Sequence, residues 1–357
     1  MIFGLTRGYF KTIAMPYQML SSREYAPLTK FRKTIVIFVL SQALLACAVS
    51  PPAQEVVSGP LVNRIFKHNS TELSEAELTK QLLSSDVIYL GEEHDNPRHH
   101  ERQKQVIQTL LDHGKTPAIG MEVIFVEQSS ITMNYVQMPD NTKVNADEWL
   151  RAKLGWLGDS LHWERYGESI QLARKHKLPI FGIDLNKMLR HRIGKTGLAG
   201  LSPAESSMLS LQKHDDNTYR DFMYDTFKKA HCGWGSENYL SKLYDNWNAR
   251  NDKMASTISL MASKHENRPI VVIVGAGHTR FNRGVIESLL RLDPTLKQTN
   301  LAFIGVRENL ENPLDYSPPL QFQGEEYGYP YEYSWFTEGR PDNDSLCKDY
   351  LNSKKKK

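Results

Sequence analysis

Cysteine is scarce. Cys47, Cys232 and Cys347 are the three in 357 residues, and no Cys-x-x-Cys occurs. That excludes a disulfide-stapled scaffold. In an oxidising compartment Cys232 and Cys347 could pair, but two cysteines in a large domain do not establish it. No apolar run is present that would readily cross a bilayer. The run 35–45, broken only by Ser41 and Gln42, would cover about 16 Å as a helix, half of a bilayer core. An excess of one charge is missing too. The formal net charge is +3, but residues 1–46 hold six Lys/Arg against the single acid Glu24. The remaining 311 residues carry 38 basic and 40 acidic side chains and all 12 histidines. A body so nearly neutral gives no electrostatic case for nucleic acid. There is no P-loop, no Gly-x-Ser-x-Gly elbow and no internal repeat. Gly275-x-Gly277 opens like a dinucleotide fingerprint and fails, because Arg280 stands at the third glycine position. What remains is ordinary globular composition, 40% apolar and 24% charged with 22 Gly and 17 Pro. This length suits one large α/β domain, or one with a helical subdomain.

The amino terminus reads as an address. Lys30, Arg32 and Lys33 precede the apolar run, which ends in Leu44-Leu45-Ala46-Cys47. That is a secretory h-region closed by a sequence that resembles a bacterial lipobox, making Cys47 the lipidated first residue of the mature protein. Met15 or Met19 could serve as the start. Residues 1–46 are then the signal peptide and 47–75 the lipidated Cys and tether, rich at first in Pro51, Pro52, Gly59 and Pro60. One acyl chain holds a membrane marginally and several hold it stably. Ala48 rather than Asp after the cysteine favours the outer membrane, facing the periplasm. The basic tail 341–357, ending in Lys354 to Lys357, reads as a solvated terminus.

Five short runs rich in Val, Ile and Leu, 86–90, 117–121, 178–183, 269–274 and 301–306, read as strands buried on both faces. Helical patterns separate them. Asn96 can cap a helix whose first position is Pro97, Val106, Ile107, Leu110 and Leu111 form its apolar face, and Gly114 lies past its end. The expected fold is therefore α/β, a mainly parallel β-sheet flanked by helices, over 76–188 and 266–340. A smaller all-helical subdomain, 189–265, is inserted. Its Tyr219, Phe222, Met223, Tyr224, Tyr244 and Trp247 read as core sooner than as a cofactor wall. The stretch 321–336 reads as a closing hairpin or edge strand.

The strand ends carry the chemistry. Gly91-Glu92-Glu93-His94 follows the first strand, Gly120-Met121-Glu122 closes the second, Gly182-Ile183-Asp184 the third, and Gly275-Ala276-Gly277-His278 follows the fourth. In open parallel sheets ligands sit outside the carboxyl ends of strands. Two Gly-x-x-His turns, a Glu and an Asp would converge there. The bland alternatives are solvated Glu92 and Glu93, an Asp184 that only caps the next helix, and His99 and His100 at an exposed helix start, pointing about 100° apart.

With His100, Gln103, Trp163, Tyr166, Asp252-Lys-Met254-Ala255, Gly284-Val285 and Tyr333-Ser-Trp335, these pieces make the chain resemble the ChaN-like haem-binding lipoproteins of the Tiki/TraB/erythromycin-esterase-like superfamily, over about 80–340. Ile286 stands where members often have Pro, 138–160 looks like an added loop, and Arg190 after Asn186 comes one residue late. The resemblance implies ferric haem bound at a homodimer interface, each iron held by one Tyr, with His and Lys of the second subunit near the propionates. Tyr166 is the chosen ligand, with Tyr135 and Tyr219 as alternatives. Lys187 and Arg190 are the basic candidates for propionates, and His94 or His278 the neighbouring His. A phenolate is a hard anionic donor suited to ferric iron, and propionates want charge-assisted donors.

Three functions follow. The first is a non-catalytic, membrane-anchored haem-binding lipoprotein of haem or iron uptake. The second is a metal-dependent hydrolase, with His94 and His278 on a divalent metal ion and Glu122 as ligand or general base. The third is a partner of an outer-membrane haem or iron receptor.

Overall fold

The computed structural model describes residues 56–265 and 269–340. The segment read as a signal peptide, Cys47, the tail 341–357 and the possible Cys232–Cys347 pair therefore fall wholly or partly outside the described residues. Among the described residues ten strands are present: β1 (Ile65–Lys67), β2 (Thr71–Leu73), β3 (Val87–Glu92), β4 (Ala118–Phe125), β5 (Ile180–Asp184), β6 (Ile270–Gly275), β7 (Gln298–Gly305), β8 (Leu320–Phe322), β9 (Glu325–Gly328) and β10 (Tyr333–Thr337). Eight of them form one sheet in the order β2-β1-β10-β7-β3-β6-β4-β5. From β10 to β5 every neighbour is parallel. β1 and β2 add an antiparallel edge.

All five sequence-read strands are present, and their composition explains why. Val87, Ile88, Tyr89 and Leu90 are each fully buried. A strand exposes alternate side chains to opposite faces, so both faces here must be covered. Ile88 and Leu90 join one core with α1 (Glu75–Leu83), α2 (Pro97–Asp112) and α5 (Ser160–Lys175). Val87 and Tyr89 join the other, with Met254, Ala255, Ile258 and Leu289. α2 begins as its sequence requires: the Asn96 side chain accepts from the Arg98 N–H and Pro97 holds the first turn. α3 (Ser129–Gln137) and α4 (Ala146–Leu154) follow β4, and α4 falls inside the stretch read as an added loop.

The segment 189–265 contains no strand. α6 (Lys187–Thr196), the short α7 (Pro203–Ser206), α8 (Asn217–Ala230) and α9 (Glu237–Lys264) run through it. Tyr219, Met223 and Tyr244 pack with Phe281 as core. α9 has 28 residues, about 42 Å. Its carboxyl-terminal half lies on the sheet, beside α10 (Val285–Leu292).

Two sequence readings need correction. Residues 57–75 are not tether: Val57 bridges Gly339, and β1 and β2 extend the sheet. Three-residue strands joined through left-handed His68 and Asn69 leave no periodic signal. The stretch 321–336 does include a hairpin, β8 with β9, but β10 is an interior strand between β1 and β7, because the unforeseen β1 covers it.

Asp252 shows what the Asp-Lys-Met-Ala run does. It is fully buried, accepts from Ser288 Oγ at 2.8 Å and the Gln212 N–H at 2.8 Å, and has His214 Nε2 3.0 Å from its carboxylate. It ties α9 to α10 and to the chain before α8. Asp252→Ala strands these partners and is expected to cost about 3–5 kcal/mol, read as a lowered urea midpoint with native far-ultraviolet circular dichroism in water.

Candidate functional site

The carboxyl ends of β3, β4, β5 and β6 lie side by side, and the register sets Glu92 of β3 against Gly275 of β6. Glu92 is 3% exposed. A carboxylate tolerates such burial only if its oxygens are satisfied. Tyr166 Oη donates to Oε1 at 2.5 Å, with His94 Nδ1 2.7 Å from the same oxygen. Gln103 Nε2 donates to Oε2 at 2.5 Å, and His100 Nδ1 lies 3.2 Å away. His100 and Gln103 are three apart on α2 and so share a face. Burial alone would raise the Glu92 pKa, but the hydrogen bonds from His100 and His94 outweigh it and lower it to about 2.

Glu122 lies where β4 slips register against β5, between Met121 and Phe125. Such irregularities re-aim side chains. Its Oε2 accepts the Gly275 N–H at 2.6 Å and its Oε1 accepts Arg250 Nη2 at 2.5 Å. His278 Nε2 is 3.5 Å and His94 Nε2 3.9 Å from Oε1. Burial opposes the charge, yet His278 and Arg250 hold the Glu122 carboxyl well below the usual range. Gly275 leaves room for this approach, because a Cβ there would stand 2.9 Å from His94 Nε2 and displace the ring.

Arg250 also donates from Nε and Nη2 to the two oxygens of Asp184, both at 2.9 Å. Asp184 is fully buried and takes a further bond from Arg190 Nη1. Asn186, not Asp184, caps α6. His278 is fixed by Asn251 Oδ1, 2.7 Å from its Nδ1, and stacks on Trp247. Of these side chains His94, Glu122, Tyr166, Asp184, Arg190 and Arg250 border a cleft of about 370 Å³, also lined by Phe125, His162 and Arg165. The His94 side chain is 52% exposed and is the most open of the convergent groups.

The structure thus brings together His94, His278, Glu122, Tyr166 and Arg190. Lys187 is exposed on the first turn of α6 and does not line the cleft. Tyr135 donates to Asp147 and Tyr219 sits in the aromatic core, so of the three tyrosines only Tyr166 reaches the cleft. Its hydroxyl is committed to Glu92. Burial, with the charge of Glu92 next, raises its pKa well above the ordinary phenol value. His99 and His100 are buried rather than exposed. His99 accepts the Glu93 N–H at Nδ1, 3.0 Å, and burial lowers its pKa to about 3. Arg250 was missed in the sequence. The available signal was a mostly polar stretch, Asn248-Ala249-Arg250-Asn251-Asp252, across the middle of an amphipathic helix.

The divalent-metal reading is not favoured. Among the described residues no group of three His, Cys, Asp or Glu is placed to hold a metal ion. The two carboxylates that face each other, Glu122 and Asp184, already share the guanidinium of Arg250.

A family model described as haem-binding uptake, Tiki superfamily, ChaN matches residues 78–289. No curated protein matches the chain. Among solved structures, the chain resembles the one described as cofacial heme binding to ChaN of Campylobacter jejuni, at 17% identity and a TM-score of 0.56, over 76% of this chain and 95% of that one. A mutant erythromycin esterase, EreC, in its open conformation aligns at 16% identity with a TM-score of 0.39, over 71% of this chain and 78% of that one.

The Glu92–His94 pair sets a pH window. With its pKa lowered, Glu92 adds stability above about 4.3, the ordinary carboxyl value, and loses it as pH falls toward 2. The His94 pKa is raised, chiefly by its hydrogen bond to Glu92 and against burial. Its contribution is complete below about 6.5 and is lost as pH rises through the raised value. Urea unfolding from pH 3 to 9 is expected to show this contribution largest between those limits, with Glu92→Gln flattening the alkaline decline.

Proposed function

Because the chain belongs to the family of haem-binding uptake proteins of the ChaN type, in the Tiki superfamily, we propose that it binds ferric haem at the cleft bordered by His94, Glu122 and Tyr166. The observation that carries this reading is the family match over 78–289, which takes in all the cleft residues named above. The chemistry of the lining agrees with it. Arg190 and Arg165 supply guanidinium groups for propionates, and Phe125 and Val123 supply apolar surface. Lys187 lies one turn from Arg190 on α6 and can reach a propionate only from outside the cleft.

Haem bound here would supply a ferric iron for a protein ligand. Tyr166 is the proposed protein ligand. To act as a phenolate it must give up the proton that Oη now donates to Glu92 Oε1. Glu92 Oε1, which already accepts from Oη, is the atom in position to take it, with His94 Nδ1 donating to the same oxygen from 2.7 Å. Glu92 orients His94 and Tyr166 together, and Asn251 orients His278 beside Glu122.

At about 370 Å³ the cleft is at the small end of ligand pockets, roughly 300–1,000 Å³. A porphyrin would enter by one edge and leave the rest uncovered. Half-exposed Leu161, in a depression that shares Arg165 with the cleft, offers apolar surface beside it. This supports a second subunit as the cover, and a carrier that releases haem when the halves part. The lipobox supports attachment through Cys47 to the outer membrane and a role in haem or iron uptake, with an outer-membrane receptor as partner.

A haemin titration followed in the Soret and charge-transfer bands is expected to saturate near one haem per chain with a phenolate-type ferric spectrum. Tyr166→Phe should abolish the charge-transfer band and weaken binding by roughly tenfold or more. A variant that kept the full spectrum would remove Tyr166 from the role.

A further inference from the structure

A second cavity of about 370 Å³ opens where the turns after β3, β6, β7 and β10 meet. It shares no lining residue with the cleft described above. Glu93 and His94 are adjacent in the chain, yet Glu93 faces this cavity and His94 the cleft. Three guanidinium groups line it, those of Arg280, Arg307 and Arg340. Arg340 is held by Asp95. The other two have no such partner among the described residues. Arg280 lies over the Phe281 ring, and its Nε is buried with no hydrogen bond. Arg307 lies over the Tyr316 ring, and its side chain makes no hydrogen bond or ion pair.

Two neutral or acidic groups are equally uncommitted. Among the described residues the hydroxyl of Tyr331 makes no hydrogen bond and the Glu93 carboxyl has no hydrogen-bond partner, and burial, with Asp95 next, pushes the Glu93 pKa up. Of the groups lining the cavity, the Arg280 Nε is buried without a partner, and a buried donor so left is costly. Guanidinium groups present paired N–H donors that match the oxygens of a carboxylate or phosphate. The cavity exceeds what a lone inorganic ion fills and falls within the range for small organic ligands.

We propose that this cavity is a separate binding site for a small organic oxyanion, a hydroxylated carboxylate or phosphate ester, whose charged group is held by Arg280 and Arg307 and whose hydroxyl meets Tyr331 and Glu93. The site does not depend on haem binding at the other cleft.

The test is calorimetric titration of the full chain with citrate and, in a second arm, glycerol 3-phosphate, at constant ionic strength set with chloride. One arm or both should saturate, and the arm that does identifies carboxylate or phosphate. Arg307→Gln, on an exposed side chain that anchors no core, should weaken binding at least roughly tenfold while haemin titration stays unchanged. Arg280→Gln should do the same if its thermal unfolding is normal. Absence of saturation in both arms at millimolar concentration overturns the proposal. So does an Arg307→Gln protein that binds as tightly as the parent. Competition between haemin and citrate would assign the cavity to haem and end the claim of a separate site, whereas a failed haemin titration alone would leave this proposal standing.

Discussion

The site depends on one buried cation. Arg250 reaches from the middle of α9 to Glu122 of β4 and Asp184 of β5. Two carboxylates at neighbouring strand ends would repel each other, and neither could stay ionised in so dry a place without a counter-charge. The guanidinium allows both to remain anionic. The next residue on the same helix, Asn251, bonds His278. A helix that contributes core packing at its carboxyl-terminal half thus positions cleft chemistry at its centre. The fold and the cleft are joined through the same helix.

The other half of the cleft follows the same rule with different residues. Glu92 has no guanidinium; it is held by a phenol, an amide and two imidazoles. Such a shell is polar without fixed positive charge, so its protonation can shift. Arg250 cannot lose a proton, and the imidazoles around Glu92 can. One side of the cleft is electrostatically rigid and the other is able to move protons.

Much of this was legible in the sequence because burial on both faces leaves continuous apolar runs. The five core strands declared themselves by Val, Ile and Leu without polar alternation, and their ends by Gly followed by Glu, Asp or His. His94, Glu122 and His278 could be named for that reason. Arg250 could not, because a basic residue in an amphipathic helix looks the same whether it faces water or two carboxylates 66 and 128 positions away. Lys187 was named as one of the basic residues nearest the end of the third strand, but at the first position of α6 its side chain is exposed and does not line the cleft. β1 and β2 were too short for any periodicity to show.

The pairing of Val57 with Gly339 has a mechanical consequence. Tension drawn along the chain toward residue 56 meets that bridge first, then the Asn63 N–H bonded to the Phe336 carbonyl, and then β1 on β10. These bonds would open one after another from the sheet's antiparallel side. β7 still lies between β10 and β3, so the load is spent before it reaches the strands that carry Glu92, Glu122 and Asp184. A domain held by its amino-terminal end could be pulled and jostled without straining its binding cleft.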